Sequence, residues 1–126
     1  MLNDKQLELL KKQTILVLTT SDVNNRPHAI FVEVNKIEGG SLIITDNHME
    51  QTISNIKTNN KCFVLAYSKD YSSVININGL ATYHDGGALL EYAKNNPDNE
   101  AYHPKGVVEV KITAVNEKHF DEDFVS

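Results

Sequence analysis

A chain of 126 residues with 40% apolar and 23% charged side chains has the size and balance of one ordinary soluble globular domain with a real core. Twelve basic residues against seventeen acidic ones give a net charge of −5, and the basic ones are scattered. That argues against electrostatic binding to nucleic acid or to an anionic membrane as the main role. The single cysteine, Cys62, excludes an intrachain disulfide, and the longest apolar run falls far short of a membrane span.

The opening MLNDKQLELLKKQ mixes charge with Leu and lacks the apolar stretch of a signal peptide, so a cytoplasmic protein is expected. Asn3 or Asp4 can cap a first helix within residues 1–13, with Leu7 and Leu10 on one face and Lys11 and Lys12 at its end. TILVLTT, residues 14–20, is β-branched and apolar on both faces, the pattern of a central strand. Polar residues 21–26 follow, with Asn24 and Asn25 as turn formers. Pro27 opens a second strand, HAIFVEVNKI, and Glu38-Gly39-Gly40 reverses the chain tightly into a third, SLIIT. Links this short cannot carry parallel crossovers, so the three strands form an antiparallel meander. The sequence contains no glycine fingerprint of a dinucleotide or P-loop site.

In TDNHMEQTISNI, residues 45–56, the third strand gives way to a helix spanning 47–59. Met49, Ile53 and Ile56 recur at i, i+4 and i+7, one apolar stripe. Thr45, Asp46, Asn47, Gln51, Thr52 and Asn55 crowd the start, where unpaired amides and the helix dipole favour an anion. The same residue types also cap a helix that covers a barrel end. The local pattern leaves both readings open.

KCFVLAY is a fourth strand, with Cys62 a small buried hydrophobe in it. Ser68-Lys69-Asp70 turns the chain into a fifth strand, 71–83. There Ile75, Ile77, Gly79, Ala81 and Tyr83 share one face, and Asn76, Asn78 and Thr82 share the other. Gly79 in mid-strand marks a bend or a close approach to the backbone. Asp85 can cap a helix through Ala88, Leu89, Tyr92 and Ala93 that Pro97 ends. The loop NPDNEAYHPKG then leads to a last strand, VVEVKITAV, where Val108, Val110, Ile112 and Ala114 alternate with Glu109, Lys111 and Thr113. Residues 116–126 form an acidic tail, expected to fray or to dock on a partner chain. Six antiparallel strands with helices only at the connections predict a single mainly β domain, 1–126, built as a small closed barrel with flanking helices.

Chemistry-bearing clusters are sparse. None of the five histidines stands at metal-ligand spacing to another, so no metal is expected. No serine sits on a glycine-flanked elbow, and the run Asp121-Glu122-Asp123 reads as a solvated terminus.

LVLTTSDVNNRPHAIFVEV, LIITDNHMEQTISNIKTNNKCFVLAY and INGLATYH, in that order, resemble the pyridoxamine 5′-phosphate oxidase-like family of FMN-binding split barrels. In size and in the segment HMEQTISN, the chain is most similar to its short FMN-binding members. The resemblance implies a six-stranded antiparallel split β-barrel that forms a homodimer, with the cofactor FMN in a groove between the two barrels. It implies that the phosphate and ribityl chain are held by the strand carrying Phe31, Val32 and Glu33, and by the strand end at Thr45, Asp46 and Asn47. At the helix start, Gln51 and Thr52 would face the phosphate, with Met49 near the ring or ribityl chain. Tyr102, with His103, would stack on the flavin from the partner chain. Many relatives carry Lys where this chain has neutral Gln51. Losing one charge-assisted contact costs ~1.5–3 kcal/mol, tenfold or more in affinity, and Arg26, Lys57 and Lys61 are the candidate substitutes.

The implied function is a flavoprotein, an oxidoreductase or electron carrier serving a small-molecule redox partner, with no catalytic acid or base assigned. Two other classes stand beside it. One is a non-catalytic binding module holding a deazaflavin, a haem or another small ligand in the same groove, and the other is a cofactor-free dimer.

Overall fold

The computed structural model describes residues 2–96 and 104–120. The elements in chain order are α1 (Asp4–Lys12), β1 (Ile15–Ser21), β2 (Pro27–Glu38), β3 (Ser41–Asp46), α2 (Gln51–Thr58), β4 (Lys61–Tyr67), β5 (Ser73–His84), α3 (Ala88–Asn95) and β6 (Gly106–His119). All six strands join one closed antiparallel barrel in the order β1-β2-β3-β6-β5-β4. Closure leaves no open sheet edge, and it fixes a single inside.

The meander follows from local chemistry. Asp22 accepts the amides of Asn24 and Arg26 at 2.8 and 3.0 Å, which holds Asn25 at φ 62° and turns β1 into β2. Gly39 and Gly40, at φ 57° and 81°, make the two-residue reversal that pairs Glu38 with Ser41. Inward positions then stack in register: Leu16 and Leu18 on β1, Val32 and Val34 on β2, Leu42 and Ile44 on β3, Val64 on β4, Ile75 and Ile77 on β5, Val108 and Val110 on β6. A smaller cluster lies outside the barrel, where Ile43 and Val107 are covered by Ala93 of α3. That explains why every residue of β3 is buried.

The two other helices close opposite ends. α1 is capped by Asn3, whose side chain accepts the Gln6 amide while Gln6 reaches back to Asn3. It buries Leu10 at one mouth of the barrel, and Gln6 donates to Glu117 near the end of β6 at 2.9 Å. α2 inserts Ile53 and Ile56 at the other mouth.

Several expectations are corrected. β1 is buried on one face only: Leu16, Leu18 and Thr20 point in, while Ile15 is 37% exposed. A barrel has one interior, so a strand apolar on both sides leaves its outer face open. α2 begins at Gln51 rather than at position 47, because Asp46 has already turned back to accept the Met49 amide. Gly87, not Asp85, is the N-cap of α3. β6 runs on to His119, paired with Ser73, so residues 116–119 belong to the sheet and not to a tail. Gly79 does mark a close approach: a Cβ there would stand 2.5 Å from Val110 Cγ1 and 2.9 Å from the Lys111 carbonyl oxygen, where the β5–β6 register shifts.

The β4–β5 turn carries an acid-sensitive lock. The hydroxyls of Ser68 and Ser72 each donate to Asp70 at 2.7 Å, and the Ser72 amide adds a third bond. Together they hold the Asp70 carboxyl down from its usual 3.8 to about 2. A depressed folded pKa contributes stability that is present above the unfolded value and is lost as pH falls through the folded one. Thermal melts of the wild type should therefore lose ground to those of Asp70→Asn between pH 3.8 and 2. Parallel pH profiles would dismiss the lock.

Candidate functional site

The β3–α2 junction is built from side chains that mostly turn inward. Thr45 sits in the β3 ladder and gives both its amide, at 2.9 Å, and its hydroxyl to Asn35 Oδ1. Asp46 is 1% exposed. One of its oxygens accepts the Met49 amide at 2.8 Å, and the other accepts the Tyr83 hydroxyl at 2.6 Å. Burial first, and then Asp46 beside it, push the Tyr83 hydroxyl well above the ordinary phenol range. Both residues therefore anchor the junction. Next to them, Oδ1 of Asn47 is buried with no hydrogen-bond partner among the described residues.

α2 starts at an N-cap, Glu50, whose side chain makes no capping bond. Its first-turn amides are thus without a side-chain acceptor. The polar residues farther along are used as a brace. The Gln51 side-chain Nε2 donates to Asn55 Oδ1 at 2.7 Å, Asn55 donates to the Thr20 hydroxyl at 3.0 Å, and Asn59 donates to Ser21 Oγ at 2.9 Å. Asn55 is 2% exposed and Thr52 1%, so both lie on the barrel side of the helix. This brace ties α2 to the end of β1 and gives the barrel-closing reading of the segment a concrete form.

Along the flank of α2 runs a cavity of about 460 Å³, lined by Met49, Glu50, Ile53, Lys57, Tyr83 and Lys105, with Asp46 at its base. The Lys57 ammonium stands 5.7 Å from the Tyr83 ring centroid. Neither Lys57 nor Lys105 is ion-paired with a carboxylate among the described residues. Of the three cations proposed to offset Gln51, Lys57 lines this cavity; Arg26 lies in the β1–β2 link, and Lys61 opens β4 beyond the helix. Sequence reasoning missed Lys105. Its position just before β6 gave no local signal, and only barrel closure brings it beside β3, where its amide donates to the Asp46 carbonyl at 3.3 Å.

The remaining predicted site residues separate by strand geometry. On β2, Phe31 is 74% exposed and Glu33 is exposed, whereas Val32 points into the core. Val32 can thus offer a ligand only its backbone. Glu33 accepts a long bond, 3.4 Å, from the Thr14 hydroxyl. Tyr102 lies outside the described residues. Val17 stands between Phe31 on one side and Leu65 on the other, so the outer faces of β2, β1 and β4 form one apolar strip. Burial pushes the Cys62 thiol up to about 11, which leaves it inert as a nucleophile. Among the described residues no three His, Cys, Asp or Glu side chains cluster as a metal site, and no helix is long and apolar enough to cross a membrane.

The family profile described as pyridoxamine 5′-phosphate oxidase matches residues 2–119. No curated protein matches the chain. Among solved structures, HupZ of Group A Streptococcus superposes with a TM-score of 0.83 at 18% identity, covering 96% of this chain and 99% of that one. General stress protein 26 of Bacillus anthracis gives a TM-score of 0.72 at 19% identity over 89% of both chains. HutZ, the heme storage protein of Vibrio cholerae, gives 0.69 at 12% identity, covering 95% and 97%. Identities this low establish a shared fold and leave the ligand to the chemistry of the site.

Proposed function

The chain belongs to the pyridoxamine 5′-phosphate oxidase family, and from that membership we propose that it is an FMN-binding flavoprotein, an oxidoreductase or electron carrier for a small-molecule partner. The supporting observation is the start of α2. Its first turn has no side-chain cap, an unpaired acceptor on Asn47 stands beside it, and two lysines without carboxylate partners line the adjoining cavity. A phosphate dianion is suited to the first-turn amides and the positive end of the helix dipole. Lys57 and Lys105 supply the charge that Gln51 does not, and Asn47 Oδ1 can accept from a ribityl hydroxyl. The flavin, when bound, supplies the redox chemistry, and the residues around it bind and orient it. The apolar strip led by Phe31 is the surface on which a second copy would pack to form the homodimer, since an exposed run of this kind on a small domain marks an interface.

The test is direct. The purified protein should carry flavin absorbance or acquire it on adding FMN. Lys57→Gln and Lys105→Gln should each raise the FMN Kd about tenfold, the loss of one charge-assisted contact. A colourless protein that ignores added FMN sinks the proposal.

A second reading rests on Gln51, which is neutral and already bonded to Asn55. It favours a barrel of the same fold that has lost its cofactor and acts through protein contacts. A protein that takes up neither FMN nor haem and elutes as a dimer in size-exclusion chromatography selects that reading; a haem absorption band on adding haem, with no flavin uptake, selects instead a binding module using another cofactor.

A further inference from the structure

At the barrel end opposite α2, a groove of about 450 Å³ separates α1 from the β4–β5 turn. Lys5, Leu9 and Lys12 present one face of α1 to it, at i, i+4 and i+7, together with Glu8. Ser68 and Lys69 form the facing wall. None of the three ammonium groups has an ion-pair partner among the described residues. Three unpaired cations converging on one groove, in a chain of net charge −5, call for an anionic occupant.

We propose that this groove receives the acidic segment 121–126 of the same chain. β6 delivers the chain to the right place: His119 pairs with Ser73, and the Phe120 amide donates to the Ser72 carbonyl at 2.7 Å. Ser72 belongs to the same turn as Ser68 and Lys69, so Phe120, the last described residue, lies beside the groove wall. Six residues reach at most about 20 Å, enough to cross from the turn to α1. Asp121, Glu122 and Asp123 equal Lys5, Lys12 and Lys69 in number and are opposite to them in sign, and Phe124 provides an apolar group for Leu9. The docked segment would tie α1 to the β4–β5 turn, adding to the Gln6–Glu117 bond that links the helix to β6. It does not depend on the cofactor, which is assigned to the other end of the barrel.

Amide spectra of the full chain decide it. Wild type and the neutral-tail variant D121N/E122Q/D123N should differ at Lys5, Leu9, Lys12 and Lys69. Raising salt to about 1 M, where screening acts within about 3 Å, should move the wild-type spectrum onto the variant's. K5Q/K12Q/K69Q should reproduce the same shifts in the turn. Identical spectra at these residues, or differences centred on α2, overturn the proposal. The choice of the same chain is tested with a nitroxide on Ser126→Cys; the buried Cys62 thiol, raised to about 11, stays unlabelled. Broadening of α1 is expected within the labelled chain and absent when a spin-labelled, isotopically silent copy is mixed with unlabelled ¹⁵N chain. Broadening in the mixture assigns the segment to a second copy and refutes the assignment within one chain.

Discussion

Replacing Asp46 with Ala should lower the unfolding free energy by about 3 kcal/mol, since hydrogen bonds to a charged group contribute about 1.5–3 kcal/mol each and Asp46 accepts two. The bonds come from the Met49 amide and the Tyr83 hydroxyl, and the carboxylate is 1% exposed. The loss is placed near the lower bound because Tyr83 is half-buried and its hydroxyl can turn to water. Tyr83→Phe should cost less, about 1–2 kcal/mol, because Asp46 keeps its backbone partner. The double variant should fall short of the sum, since both changes break the same bond. Urea denaturation measures all three. An Asp46→Ala protein within about 1 kcal/mol of the wild type would show that water replaces these bonds without loss. If the protein binds FMN as proposed, the same variant should also weaken that binding, because Asp46 fixes the turn that precedes the uncapped helix start. That second readout separates a misplaced α2 from a merely less stable barrel.

Gly79→Ala should destabilise by about 3 kcal/mol, the upper range for forcing a methyl group into filled space. The new Cβ would meet Val110 Cγ1 at 2.5 Å and the Lys111 carbonyl oxygen at 2.9 Å. Val110 is fully buried and the carbonyl belongs to the barrel ladder, so neither can yield by a simple rotamer change. β5 and β6 would have to separate where their register already shifts. Gly39→Ala is the useful contrast. Its Cβ would meet nothing within 4 Å, so its cost is torsional only, about 1 kcal/mol from the positive φ. Equal losses in the two variants would mean that the β5–β6 seam accommodates the methyl group and that the close approach is not a constraint.

Much of the barrel was legible in the sequence because barrels of this size are assembled from local decisions. Two-residue alternation placed Ile75, Ile77, Gly79 and Ala81 on one face, and Gly39-Gly40 could only be a tight reversal. Links too short for crossovers then forced the meander. The family resemblance was legible for the same reason, since it rests on the order of those elements. Turn chemistry and side-chain period act over a few residues, and a few residues of sequence contain them.

The polar junction was legible in position but not in its contacts. The sequence marked residues 45–56 and left two readings open. The structure uses the polar groups largely for closure: Asn55 donates to Thr20, 35 positions away, and Asp46 accepts from Tyr83, 37 positions away. Such partners depend on which strands the closed barrel brings to one mouth, which no local pattern encodes. The same closure set Lys105 beside Lys57 and decided that β1 has one buried face. Thus the sequence by itself determined the strands, the reversals and the polar stretch at the β3–α2 junction. Only the tertiary structure decided which side chains at that stretch are already satisfied, because hydrogen bonds between distant strands exist only once the barrel is closed.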